Sequence, residues 1–147
     1  MKKVIATIMA CCLLLGSMSA EKAEAKCGVG SEILTVDEIF LLAAAMELEN
    51  GMNSDLCLML TGSVILNRRN SPDWPDTVAG VLYQKGQYAE HTLKHLRTVR
   101  VSERVMCLAL KVATHGPCDT EIVFQSMYPE LGKVKYKVDT DYFATWE

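Results

Sequence analysis

The sequence predicts a mainly α domain, of α+β class, that ends in a small β region. Three capped segments between Thr35 and His115 repeat apolar residues at helical spacing. After Gly116-Pro117 the pattern changes to short runs of β-branched and aromatic residues. The 147 residues are 50% apolar and 22% charged, which suits one folded domain with a single core.

The start of the chain reads as a secretory signal over residues 1–25. Lys2 and Lys3 supply a positive start, and residues 4–15 form an apolar stretch too short to span a bilayer. Ala23-Glu24-Ala25 fits a small-x-small cleavage site, with Ala20 a second position. Residues 26–147 are then one exported domain with no membrane segment of its own. The net charge of −3 and the lack of a Lys/Arg run argue against a nucleic-acid partner.

The first helix begins at Thr35, an N-cap with Glu38 as its capping-box partner and Leu34 and Ile39 at the staple positions. Ile39, Leu42, Ala43 and Met46 form its stripe, and Asn50-Gly51 reads as a left-handed stop. Glu49 falls three residues past Met46, on the edge of the stripe, whereas Glu47 points elsewhere and is expected on the surface. Asn53 or Ser54 caps a second helix whose buried face holds Leu56, Met59, Leu60, Ser63, Val64 and Asn67. Asn70-Ser71-Pro72 ends it. Asp76 or Thr77 starts a brief helix through Tyr83, followed by a polar loop, Gln84-Lys85-Gly86-Gln87-Tyr88. Residues 89–101 fit no single pattern. Ser102 caps a long helix with Val105, Leu108, Ala109 and Val112 inward, closed by Gly116-Pro117. Glu121 to Gln125, Val134 to Tyr136 and Tyr142-Phe143 are the β-like runs.

Glu49 is the leading candidate for chemistry. A carboxylate at a helix C-terminus meets the negative end of the helix dipole, which disfavours its ionised form. A raised pKa is what a carboxylic general acid needs. In the loop before residue 89, the amides of Gln84 and Gln87 both donate and accept, which suits sugar hydroxyls and N-acetyl groups, and the Tyr88 ring offers a stacking face. His91 and His95 stand at i, i+4, but no Glu is arranged beside them as in zinc proteases, so no metal site is assigned. No nucleophilic Ser or Cys constellation and no phosphate loop occur, and no cofactor is implied. Trp74 and Trp146 fit either core or surface.

Cys11 and Cys12 belong to the signal. Cys27, Cys57, Cys107 and Cys118 remain, and four cysteines in an exported domain point to two disulfides with three possible connectivities. A Cys107–Cys118 pair is disfavoured. A helix to His115 carries the chain about 12 Å away, and only three residues remain to return. A bond joining distant segments is the expectation, with buried free thiols as the alternative.

From Leu41 to Tyr88 the chain resembles the cell wall hydrolases of the SleB type. The resemblance rests on Leu41-Leu42-Ala43 with Glu49 and on Gly62-Ser63-Val64-Ile65-Leu66-Asn67-Arg68. It continues through Ser71-Pro72-Asp73-Trp74-Pro75-Asp76-Thr77 and Gly80-Val81-Leu82-Tyr83-Gln84-Lys85-Gly86-Gln87-Tyr88, in the family's order. Ile122-Val123-Phe124-Gln125 and Asp139-Thr140-Asp141-Tyr142-Phe143 look like its C-terminal β segments. The resemblance implies a lysozyme-like, mainly helical fold acting on peptidoglycan glycan strands outside the cytoplasm. Glu49 aligns with the family's catalytic glutamate, and Asn67 aligns as well. Gln87, Tyr88, Gln125 and Asp141 are the expected substrate-binding residues. Two positions depart from the pattern: Asn53 stands where many members carry a second glutamate, and Asp141 is nearest to a position often held by His. The implied reaction is that of a lytic transglycosylase, in which one carboxylate suffices. A two-carboxylate muramidase needs a partner roughly 5 to 9.5 Å away, with Asp55, Asp139 and Asp141 as candidates. A non-catalytic wall-binding protein on the same fold is the reading from another class. Spore cortex, vegetative septum and a competitor's wall all fit as targets.

Overall fold

The computed structural model describes residues 33–146; the expected signal segment and Cys27 lie outside them. Helix α1 spans Val36–Asn50. Its capping box forms as expected: the Glu38 N–H donates to Thr35 Oγ1 at 3.2 Å, and the Thr35 N–H donates to Glu38 Oε2 at 3.0 Å. Leu34 and Ile39 both join the main core. The expected left-handed stop is absent. Gly51 is right-handed, with φ −55°, and its N–H bonds to the Glu47 carbonyl at 3.0 Å. Glycine is required there for space instead, since a Cβ would lie 2.6 Å from both that carbonyl and Glu47 Oε1.

Helix α2, Asp55–Asn70, is the centre of the molecule and is capped by Ser54. Leu56, expected inward, is exposed. The buried surface instead runs nearly all round the helix from Cys57 to Arg68, because α1, the later helices and the sheet pack about it. The two hydroxyls in its middle are satisfied: Thr61 Oγ1 donates to the Cys57 carbonyl at 2.9 Å and Ser63 Oγ to the Met59 carbonyl at 2.7 Å. Gly62 lets α1 come close, with its Cβ position 3.1 Å from Met46 Sδ.

Helix α3, Val78–Tyr83, is capped by Thr77. Helix α4, Glu90–His95, occupies the segment without a clear pattern and has no side-chain cap. Helix α5, Glu103–His115, starts at Ser102, whose N–H and Oγ both donate to Glu47 Oε2 at 2.8 Å. Glu47 is therefore a half-buried tie between helices rather than free surface. Gly116, at φ +86°, ends α5.

The sheet contains β1, Phe124–Ser126, β2, Lys133–Val138, and β3, Asp141–Thr145, in the antiparallel order β1-β3-β2. Strand β1 is shorter than the expected run: the Val123 N–H still donates to the Ala144 carbonyl of the neighbouring strand at 2.9 Å, but the carbonyls before β1 are taken by side chains of helix α2. Asn67 Nδ2 donates to the Asp119 and Ile122 carbonyls, each at 2.7 Å, and Arg68 Nε donates to the Val123 carbonyl at 2.6 Å. Ile122 and Phe143 pack with Cys57, Leu60 and Val64 as a second core cluster.

The β2–β3 connection is a two-residue turn, Asp139-Thr140, with Asp139 left-handed at φ 52°. Asp139 Oδ2 accepts from the Ser54 N–H at 2.8 Å and from Ser54 Oγ at 2.6 Å. The turn is thereby fixed to the N-terminus of α2, where a negative charge is favoured, and Asp141 follows at the first position of β3.

The expected disulfide framework is not what the structure holds. Cys57, Cys107 and Cys118 are all free. Cys57 is enclosed in the second core cluster, whereas Cys107 and Cys118 are exposed, and Cys27, the fourth candidate, lies outside the described residues.

Replacing Asn67 with Ala strands two carbonyls at once, that of Ile122 buried and that of Asp119 partly buried. The expected cost is about 2 kcal/mol or more, at about 1–3 kcal/mol per orphaned group. Urea unfolding measures it, and a loss below about 0.5 kcal/mol would show that the carbonyls find other partners.

Candidate active site

The C-terminus of α1, the N-terminal end of α2, the loop before α4 and the sheet edge converge on one cleft of about 300 Å³. Glu49, Gln87, Tyr88, Gln125 and Asp141, widely spaced in sequence, all line it. Asn50, Asn53, Arg68 and Thr140 complete the polar wall, and Met127 adds an apolar edge.

Glu49 lies in the last turn of α1, half-buried, and its Oε1 is enclosed without a hydrogen-bond partner. Its pKa is raised above the ordinary 4.5. Burial is the leading cause; the Thr92 hydroxyl opposes it, and the Asp141 charge adds to it. The direction is the one expected for a helix end, but desolvation rather than the helix dipole leads it.

Asp141 has the opposite surroundings. It is 6% exposed and ringed by donors. Thr140 Oγ1 donates at 3.2 Å and Gln125 Nε2 at 3.4 Å, and Asn53 Nδ2 lies at 3.4 Å. With its oxygen facing Gln125 Nε2 at 2.7 Å, Asn50 brings its amide nitrogen 3.0 Å from Asp141 Oδ2 and 2.6 Å from the Asn53 amide, so one of these two asparagines, not both, donates to Asp141. The Cys57 thiol is a further neighbour at 3.8 Å, and burial pushes its pKa up to about 11, so it stays a neutral thiol. This donor set serves a carboxylate anion, which can only accept.

Arg68 is 5% exposed. Besides holding the Val123 carbonyl, it donates from Nη1 to Gln87 Oε1 at 2.8 Å and so fixes that amide at the cleft wall. Tyr88 packs its ring against the helical core. Burial pushes its pKa to about 12, with Arg68 opposing the shift and Glu49 reinforcing it, so the phenol is a neutral donor close to both charges. That packing takes up much of the stacking face expected from the sequence.

Asp55 and Asp139 do not line the cleft. Asp55 is paired with Arg104 at 2.7 Å and Asp139 with Ser54. Asn67 is a structural clamp behind the wall. His91 and His95 lie on exposed α4 with rings 4.3 Å apart, and no group of potential metal ligands occurs among the described residues. Sequence reasoning missed Arg68, Asn50 and Thr92. Arg68 had a visible signal, because it falls one helical turn after Val64 on a buried face. Thr92 had none, because its helix was not recognised.

Residues 55–134 match the family model of the cell wall hydrolases, and the chain belongs to that family. Glu49 and Asp141 lie just outside the matched stretch. The fold is that of two solved structures. One is the catalytic domain of the germination-specific lytic transglycosylase SleB from Bacillus anthracis, 18% identical with a TM-score of 0.65. The other is the catalytic domain of the Bacillus cereus SleB protein, 19% identical with a TM-score of 0.64. Each match covers 80% of this chain and 100% of the other. No curated protein matches the chain by sequence.

A buried carboxylate with a raised pKa favours its neutral form in the fold, so its contribution to stability is fully present below 4.5 and is lost as pH rises through the folded value. Glu49→Gln, which cannot ionise, is therefore expected to melt above the wild type at pH 7, with the gap closing as pH falls toward 4.5. Thermal melts across that range measure this. A constant gap, or a lower melting point throughout, contradicts the assignment of Glu49 as a desolvated acid.

Proposed function

We propose that the protein is an exported enzyme that cleaves the glycan strands of peptidoglycan as a lytic transglycosylase, with Glu49 as the single general acid and base. The observation that carries this is the contrast between two carboxylates in one cleft. Glu49 is desolvated, with a free oxygen and a raised pKa; Asp141 is held by donors from three side chains, Thr140, Gln125 and one of the asparagines 50 and 53. Such a contrast leaves Glu49 as the acid and Asp141 as a held hydrogen-bond acceptor. Membership of the cell wall hydrolase family and the fold shared with SleB catalytic domains support the substrate class.

In the first step protonated Glu49 gives its proton to the oxygen joining N-acetylmuramic acid to N-acetylglucosamine. The bond from that oxygen to the muramic C1 breaks, and the sugar ring takes on oxocarbenium character. Asp141, as a fixed anion on the cleft wall, and the substrate's own N-acetyl group stabilise this positive charge. Next the muramic C6 hydroxyl oxygen bonds to C1 and gives its proton to the Glu49 carboxylate. The product has a 1,6-anhydro end, Glu49 is protonated again, and no water or cofactor is consumed. The amides of Gln87 and Gln125 orient the strand through its hydroxyl and N-acetyl groups. Asp141 is a poor choice for activating water, because its oxygens are already engaged. That favours the transglycosylase over a two-carboxylate muramidase.

Glu49→Gln is expected to lower release of soluble muropeptides by about 10²–10⁴-fold, the usual range for loss of a general acid–base group. Mass spectrometry of the wild-type digest is expected to show anhydromuropeptides. Reducing ends in their place would indicate the muramidase. A folded protein that sediments with the wall and releases nothing would indicate the binding protein.

Asp141→Asn removes the charge that helps hold the Glu49 pKa up. Glu49 then ionises at lower pH, so the high-pH limb of the rate profile is expected to move down while the variant remains folded. Tyr88 stays neutral in this range and leaves the shift to Asp141. An unmoved limb would remove Asp141 from the electrostatics of the site.

A further inference from the structure

The cleft does not end at Arg68. The Arg68 guanidinium, which borders the cleft and fixes Gln87, also lies over two aromatic rings, 5.6 Å from the Trp74 centroid and 5.8 Å from that of Phe124. Trp74 stacks on Trp146 with centroids 5.2 Å apart and planes 23° apart. Phe124 meets Trp146 in a T-shaped contact at 4.8 Å. The aromatic group is thus continuous with the cleft, one guanidinium away from it. Trp74 and Phe124 are half-buried, but Trp146 remains 56% exposed.

Packing accounts for only part of this arrangement. Trp74 belongs to a tight turn between Pro72 and Pro75, with its N–H bonded to the Ser71 carbonyl at 3.3 Å. Helix α3 packs directly on that turn, since a Cβ on Gly80 would lie 2.6 Å from Pro75 Cβ. Trp74 is therefore a fixed base, and Trp146 lies on it at the end of β3. A tryptophan serving only as a clasp would be mostly covered, as this residue type is on average. Instead an oriented, half-open indole stands on the aromatic group that Arg68 joins to the polar cleft.

We propose that Trp146, steadied by Trp74 and Phe124, is a stacking subsite for a further pyranose of the glycan strand cut at Glu49. This rests on the glycan-cleaving function proposed above. The electron-rich face of an indole attracts the C–H face of a pyranose, while the sugar's hydroxyls remain in water. Since Trp146 is already held by two neighbours, little side-chain entropy is lost on binding. Tyr88, whose ring is packed against the helical core, leaves this stacking role open.

The test uses glycan strands freed of stem peptides and separated by length, with KM measured for a two-disaccharide fragment and for long strands. The wild type is expected to prefer long strands, and Trp146→Ala to reduce that preference by about tenfold, the equivalent of one aromatic contact. Trp146→Phe is expected to keep part of it. Equal effects of Trp146→Ala on short and long strands, or none in a variant with an unchanged melting temperature, would overturn the subsite. So would unchanged strand preference with an altered oligomeric state, which would mark the stack as a contact with a second copy. If the wild type cleaves nothing, the glycan-cleaving reading fails by itself. Binding of long strands, followed by tryptophan fluorescence, then decides the subsite: weakening by Trp146→Ala supports it, and unaffected or absent binding rejects it.

Discussion

The relation between helices and sheet is set by two adjacent side chains near the end of α2. Asn67 and Arg68 together place three bonds on the backbone of residues 119–123. These carbonyls lead into β1, and the bonds add to the one backbone bond that Val123 makes with Ala144. The register of β1 against β3 then determines where Gln125 and Asp141 stand relative to the end of α1. A buried arginine costs desolvation, and burial does lower its pKa. That cost is offset because its guanidinium is used on several sides: the Val123 carbonyl, the Gln87 amide and two aromatic faces. One side chain thus joins the sheet, the loop before α4 and the aromatic group.

The contrast between Glu49 and Asp141 follows from where each backbone segment ends. Glu49 projects from the last turn of a helix whose inner face is alanine, leucine and methionine, so it is partly desolvated, and its Oε1 is left without a donor. Asp141 opens a strand immediately after a turn fixed to the N-terminus of α2. That end of the molecule supplies Asn50, Asn53 and Thr140, all donors, and the sheet adds Gln125. Asn53 makes sense in this setting. A glutamate there would bring a third carboxylate against Asp141, whereas the amide lies within donating distance of Asp141 and beside Cys57. Asn53 and Asp141, where the sequence departs from the expected pattern, are in contact.

The helices were legible because their signals are local. Thr35, Ser54, Thr77 and Ser102 all cap as their side chains require, and Gly116 ends α5 as a left-handed residue. Five candidate site residues meet in one cleft because motif order carried tertiary information that periodicity did not. The errors share a different cause. Gly51 was read as conformational freedom when the requirement is space beside Glu47. Leu56 was placed inside because a one-sided stripe was assumed for a helix surrounded on nearly every side. Glu47 was left on the surface because its partner, Ser102, is 55 residues away. Cysteine number implied cross-links, but bonding depends on positions in the fold that spacing does not encode. Helix α4 has no side-chain cap, and its segment was correspondingly unreadable.

The arrangement also explains why a strained environment for Glu49 is tolerated. Leaving Glu49 Oε1 unpaired in the interior is unfavourable. The opposing contribution comes from the close approach of α1 and α2 one turn earlier, where Gly62 faces Met46 and three successive alanines of α1 are buried. Small residues bring the backbones together, and dense packing holds the last turn of α1 against relaxation toward water. Hydrogen bonds from the start of α5 to Glu47 secure the outer side of the same turn. Glu49 is thus restrained by residues on either side of it, none of which touches the cleft. Its raised pKa is a property of the helical core as much as of the groups that line the site.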